Sequence, residues 1–443
     1  MSMCINVPKK VAKNSLKTYS PFRTKDERKK VDWNIVLGQV VSHVYRKELN
    51  VESFEQFTEL CQQQFQSSLD SEHQNFWNIV REMYFDKQDA LNISPEFLLF
   101  SAAKDSDSTI NKRLAEMFIT LLGDTGLMRA PSNRLNFIEK SIFECFNQQA
   151  VKSEDKRKKP KQIKESAYLP YLSKKLIADL RFLSSKPDYL FSNFKSFLKL
   201  YAFLYTSQLA HNLYHWSDGM AKSRPNYFIL DSEKASKERR FVRDSGCKQL
   251  LRNIECIFPY LNMAQFLQKS DKDTIIQPLW KLVETLPEND ELTNALNEYA
   301  NSFAADRKIK QAPETKATTF DALKQLLQLS KAQFKTGNKD KDDINLNYIK
   351  AVKIHFCDDF IKLRGSAGAT LVLNQDYMIL LTNMAIGADR EKLRLHELLE
   401  EFEARGVYLD NQSQEELVKF YERIGNVERM SDSGDAVYVT KTI

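Results

Sequence analysis

The sequence predicts a mainly α-helical fold, a multi-helical body closed by a C-terminal domain of helices and a hairpin. Three observations carry this. Apolar residues recur at spacings of three and four along most of the chain, with little alternation. The 28 Phe and 17 Tyr stand against only 12 Gly and 12 Pro, a composition of long helices with few turns. Near the end, Asp432-Ser433-Gly434-Asp435 has tight-turn composition, and Val437 and Val439 follow on alternate positions.

At 443 residues the chain calls for two or three domains, and 42% hydrophobic content supplies real cores. Residues 1–30 are expected to be a basic N-terminal arm, with Lys9, Lys10, Lys13, Lys17, Arg23, Lys25, Arg28, Lys29 and Lys30 in polar sequence. The simpler reading is a solvated, partly ordered tail; the sharper one is an arm that touches phosphates.

Residues 31–150 read as an N-terminal helical domain. Phe54, Phe57, Cys61 and Phe65 form one helical stripe, and Leu114, Phe118, Leu121 and Leu122 form another that Gly123 stops. Residues 151–304 read as a basic, aromatic-rich central helical domain. It opens with the polar run "VKSEDKRKKPKQIKES", a domain boundary or long exposed loop. Residues 305–342 are a polar linker region with one helix, "FDALKQLLQLSKAQF".

Residues 343–443 form the expected C-terminal domain. A helix is expected to end near Gly365, then a short strand, "ATLVL", then a helix capped by Asn374 and closed by Gly387. Leu395, Leu398, Leu399 and Phe402 mark the next helix. Leu417, Phe420, Tyr421 and Ile424 mark the last, with a Ser413–Glu416 capping box. One strand, three helices and a hairpin running from Val427 to Val439 is the order of a winged helix. The hairpin is then the wing, covering the open edge of the helices.

The net charge of +6 hides an asymmetry. Residues 151–252 hold 22 Lys and Arg against 10 Asp and Glu, whereas residues 388–443 hold 8 against 13. A polyanion is therefore drawn to the middle of the chain. The candidate DNA-binding residues are Lys156, Arg157, Lys158, Lys159, Lys161, Lys164, Arg239, Arg240 and Arg243. On the last helix, Glu415, Glu416 and Glu422 would be repelled by a phosphate backbone. With Asp432 and Asp435 at the hairpin tip they are candidates for docking a protein partner instead.

The six scattered cysteines form no Cys-x-x-Cys pair and read as buried thiols of a reducing compartment. The first residues have no apolar core of signal-peptide length, and the most apolar helix contains Lys199 and is too short to span a bilayer. The expected location is cytoplasmic, with no membrane association.

No nucleotide-phosphate loop of the Gly-x-x-x-x-Gly-Lys type occurs. His211 and His215 lie four apart and could meet a metal from one helical face, but no third ligand is marked. Histidines satisfied in or near the core are the simpler reading, and no metal or cofactor is expected. Glu154-Asp155-Lys156 and Asp231-Ser232-Glu233-Lys234 have the residue types of a metal-dependent nuclease site. Solvated loops share that composition, and neither cluster lies on an evident strand.

The run "ILLTNMAI" to "LHELLEEFEARGVYLD" and the terminal "SDSGDAVYV" resemble the C-terminus of the DptG (DndG) family, over roughly the last 75 residues. The resemblance implies a bacterial component of DNA phosphorothioation-dependent restriction. It would act with the NTPase-like partners DptF and DptH against double-stranded DNA that lacks the sulfur modification. It implies no catalytic residues. The reading is thus a non-catalytic scaffold and DNA-contacting subunit of an antiphage restriction system. The alternatives are a stand-alone metal-dependent nuclease or a winged-helix transcription regulator.

Overall fold

The computed structural model describes residues 5–51, 53–68, 74–103, 109–126, 135–152, 165–233, 239–268, 275–365, 368–430 and 436–443. The fold is mainly α-helical. In chain order the first elements are α1 (Trp33–Tyr45), β1 (Lys47–Leu49), α2 (Phe54–Ser68), α3 (Gln74–Val80), α4 (Leu99–Ala103), α5 (Thr109–Leu122), α6 (Phe137–Gln149) and β2 (Ala150–Lys152). Then come α7 (Pro170–Ser184), α8 (Pro187–Tyr214), β3 (Asn226–Leu230), α9 (Arg240–Arg243), α10 (Gln249–Ile254), α11 (Ile257–Phe266), α12 (Leu279–Glu284), α13 (Asp290–Arg307), α14 (Thr319–Ala332) and α15 (Lys339–Val352). The chain ends with β4 (Ile361–Leu363), β5 (Ala369–Leu373), α16 (Gln375–Ile386), β6 (Lys392–Arg394), α17 (Leu395–Glu403), β7 (Val407–Leu409), α18 (Asn411–Ile424), β8 (Val427–Met430) and β9 (Ala436–Thr440).

Two compact units divide the chain. One holds residues 31–162 and 177–198; the other holds 1–30, 163–176 and 199–442. In the first, Phe54, Phe57, Phe97, Phe100 and Phe146 are all buried. The Phe97 and Phe146 rings stack at 4.4 Å, and Phe57 meets Phe100 at 5.0 Å. The stripe read from α2 (Phe54, Phe57, Cys61, Phe65) is therefore this unit's core face. The short β1–β2 ladder is antiparallel, and beside it Lys47 meets the buried Glu96 at 2.6 Å.

The second unit is built on a four-stranded sheet of order β4-β5-β3-β7. β3 is parallel to both β5 and β7, and β4 is an antiparallel edge. This corrects the expected segmentation. β3 comes from the central stretch and β5 and β7 from the C-terminal one, so the two expected domains share a single sheet. "ATLVL" is a strand, as expected, and it pairs with β3 on one side and β4 on the other. The helix expected to run to Gly365 ends instead in a π-turn at Lys353–Cys357, followed by β4.

A second sheet, β6-β9-β8, is antiparallel throughout. Leu393 and Val439 face inward on it; α16 precedes β6 in the chain, and α17 and α18 lie between β6 and the β8–β9 hairpin. Asn374 caps α16 by accepting from the Tyr377 amide at 2.9 Å. The cap of α18 is Asp410, which accepts from the Ser413 amide at 3.0 Å, and not Ser413 itself.

The N-terminal segment is also corrected. It is no solvated tail: Ile5, Leu16, Tyr19 and Phe22 are buried. Its backbone is tied down by Asn6 N to the Leu267 carbonyl at 3.0 Å, Ser15 N to Asn262 Oδ1 at 2.9 Å and Tyr19 N to Glu165 Oε2 at 2.9 Å. Phe22 packs on Phe356 at 4.6 Å, and Ser20 bonds the buried Tyr348 hydroxyl at 2.6 Å. The segment is a strap, polar outside and pinned by four apolar side chains.

Candidate functional site

Ligands of open sheets with parallel strands collect outside the carboxyl ends of the strands. At that end of β3, the Leu230 amide donates to Glu233 Oε1 at 2.7 Å. Glu233 is buried. Its other oxygen receives Arg239 and the Ser413 hydroxyl at 3.2 Å. The Arg239 fork also reaches Asp410, the α18 cap that follows β7, and donates to Ser413 Oγ at 2.9 Å. Burial alone would raise the Asp410 carboxyl, but the Arg239 and Ser413 hydrogen bonds outweigh it and hold it below the ordinary value. Arg239 thus locks the turn after β3 to the start of α18.

This overturns the assignment of Arg239 as a DNA contact, since its guanidinium is already shared by two carboxylates and is 8% exposed. Arg240 is exposed. Arg243 is half-buried and pairs with Asp244 at 3.1 Å. Lys156, Arg157, Lys158, Lys159, Lys161 and Lys164 lie outside the described residues, as do Asp432 and Asp435.

The acidic cluster after β3 is engaged as well. Glu233 is saturated by the bonds above, and Asp231 is bound by Arg364. Among the described residues, no group of three or more His, Cys, Asp or Glu is arranged to hold a metal.

At the opposite end of β3, Asn226 begins the strand and His211 projects from α8. His211 Nε2 donates to Asn226 Oδ1 at 2.7 Å, and Nδ1 accepts from Asn253 Nδ2 at 2.7 Å. Burial, the largest influence, pushes the imidazole down to about 4, so it is neutral. His215 instead faces Asp218 at 3.5 Å. The two histidines do not converge, and His211 is a core histidine with both nitrogens satisfied.

On α18, Glu415 is exposed, Glu416 pairs with Lys419 at 2.7 Å, and Glu422 pairs with Arg429 of β8. The outer face of the neighbouring sheet escaped sequence reasoning. There Tyr438 lies between Lys392 and Arg394, 5.3 Å and 5.7 Å from its ring centre. Arg394 also donates to the Tyr438 hydroxyl at 2.9 Å. The only available signal was the register that brings β6 against β9, which three residues cannot reveal.

Among the described residues, no helix is long and apolar enough to cross a membrane. No model of a known protein family matches the chain, and no curated protein does.

Proposed function

We propose that this chain is a non-catalytic scaffold and DNA-contacting subunit of a DNA phosphorothioation-dependent restriction system, acting in the cytoplasm with the NTPase partners DptF and DptH. The observation that carries the reading is the succession α16, β6, α17, β7, α18, β8, β9, in which β7 joins the other sheet and β9 is hydrogen-bonded between β6 and β8. That order is what a winged-helix module needs, and it coincides with the stretch that resembles the DptG family. In this reading the module docks a protein. The outward side of α18 offers Glu415, Glu416 and Glu422, of which the last two already hold cations of this chain. Like charge on a DNA-facing helix would oppose binding.

Deleting residues 343–443 is the wrong test, because it would strip β3 of both its partners. The sharper one reverses Glu415→Lys and Glu422→Lys in the full chain co-expressed with both NTPases. Loss of co-purification with duplex affinity intact is expected. Retained co-purification together with a gain in duplex affinity would turn α18 into a DNA-reading helix and defeat the docking. Incubation of the isolated chain with plasmid, Mg²⁺ or Mn²⁺ and ATP should leave the DNA whole. Cleavage abolished by Asp231→Ala or Glu233→Ala would replace the scaffold by a nuclease.

A further inference from the structure

We infer that the N-terminal strap, residues 5–30, is itself a nucleic-acid contact, a row of lysines on a fixed backbone that grips phosphates without reading bases. The inference rests on the DNA-contacting role proposed above and assigns it a surface.

The strap carries nine Lys and Arg and two acidic residues, and no Asp or Glu occurs between Ile5 and Lys25. Its apolar side chains point inward and its lysines point out. Lys9, Lys10, Lys13, Lys17, Lys25 and Lys30 are all exposed. None of the six has an ion-pair partner among the described residues. The acids nearby are occupied elsewhere. Asp26 is buried against Lys29 at 3.0 Å, Glu27 meets Arg28 at 3.4 Å, and Glu165 accepts from the Tyr19 amide. Asp306 pairs with Arg307 at 3.3 Å.

The backbone between these lysines is held at several points. Besides the bonds already given, Gln265 takes the Lys17 amide at 3.0 Å and donates to the Ser15 carbonyl at 3.0 Å. Asn14 donates to Gln333 at 3.0 Å, and Arg307 donates to the Ala12 carbonyl at 2.5 Å. Lys308 and Lys310, next to Arg307 in the chain, are exposed too. A free basic tail loses its conformational freedom when it binds a polyanion. A strap already fixed by its core has lost it on folding, and its charges meet phosphate with less ordering left to do.

The residue type decides between a nucleic acid and an acidic protein. Protein interfaces are depleted in lysine and favour aromatic residues and arginine. Here the aromatic residues are buried and the outer row is lysine, a point charge suited to phosphate.

The test is a salt titration of the full-length protein on labelled duplexes of two unrelated sequences. It compares wild type, the quadruple variant Lys9→Ala, Lys10→Ala, Lys13→Ala, Lys17→Ala, and the double variant Arg240→Ala, Arg243→Ala. The strap variant should lose affinity equally on both sequences, about tenfold or more. Its log–log salt slope should flatten by about 0.9 for each phosphate it no longer neutralises. Circular dichroism should be unchanged, since the pins Leu16, Tyr19 and Phe22 are untouched. A folded strap variant with wild-type slope, while wild type binds, overturns the strap alone and leaves the DNA-contacting role standing. Absence of duplex binding by wild type overturns both. A slope that changes only in the Arg240/Arg243 variant moves the contact to α9.

Discussion

Gly406 approaches the Gln208 side chain so closely that a Cβ there would lie 2.1 Å from its amide nitrogen. Gln208 has no room to retreat. Its nitrogen donates to the Arg224 carbonyl at 2.7 Å, while its oxygen accepts from the Tyr171 hydroxyl at 2.8 Å and from the Arg224 amide at 2.9 Å. The Gly406 backbone also has φ +87°, a conformation that suits glycine.

Gly406→Ala is therefore expected to destabilise the second unit by about 2–4 kcal/mol, combining left-handed strain with disrupted buried hydrogen bonds. Denaturant melts of the single variants and of the pair with Gln208→Ala measure this. The pair should recover the clash but not the backbone strain, giving a favourable coupling energy. Additive effects would show that the two residues do not meet.

The His211 pair of hydrogen bonds makes a pH prediction. With Nδ1 accepting and Nε2 donating, only the neutral ring fits, and its pKa falls from 6.5 to about 4. Between those values the unfolded chain binds a proton that the folded one refuses, so stability falls as pH falls. The contribution is whole above about pH 6.5 and is lost toward pH 4, amounting to about 3 kcal/mol. His211→Gln should flatten this window in thermal melts followed from pH 7 to 4. An unaltered profile in the variant would mean that another group sets it.

Much of the helical fold was legible because its signals are local. The stripe of α5 is buried at Leu114, Phe118, Leu121 and Leu122, and Leu417, Phe420 and Tyr421 bury α18. The sheet was not legible in the same way. β3 is a mostly buried strand whose partners lie in β5 and β7, far along the chain, and β4, β6 and β7 have three residues each. Strands so short show no period, and parallel pairing leaves no turn between partners. The strap was obscured by its own lysines, which outnumber the few apolar pins. For Arg239 the basic run suggested an exposed cation, because one of its partners, Asp410, lies 171 residues away.

That last misreading separates two neighbours that the sequence cannot tell apart. Arg239→Met removes the cation shared by Glu233 and Asp410 and leaves a buried carboxylate unpaired, which should lower stability by about 3–5 kcal/mol. Arg240→Met, on an exposed side chain, should change it by less than about 0.5 kcal/mol. Arg239→Lys should not restore the loss, because one ammonium cannot fork to two carboxylates and a hydroxyl. The triple variant Arg239→Met, Glu233→Gln, Asp410→Asn should recover part of it. Asp410 adds a pH signature. Its folded pKa lies below the ordinary value of 3.8, so its contribution is present above that pH and lost as the pH falls through the folded value. Arg239→Met should remove that acid-side loss. Thermal melts of Arg239→Met and Arg240→Met across pH 3–7 decide the point, and equal stability of the two would dismiss the lock between β3 and α18.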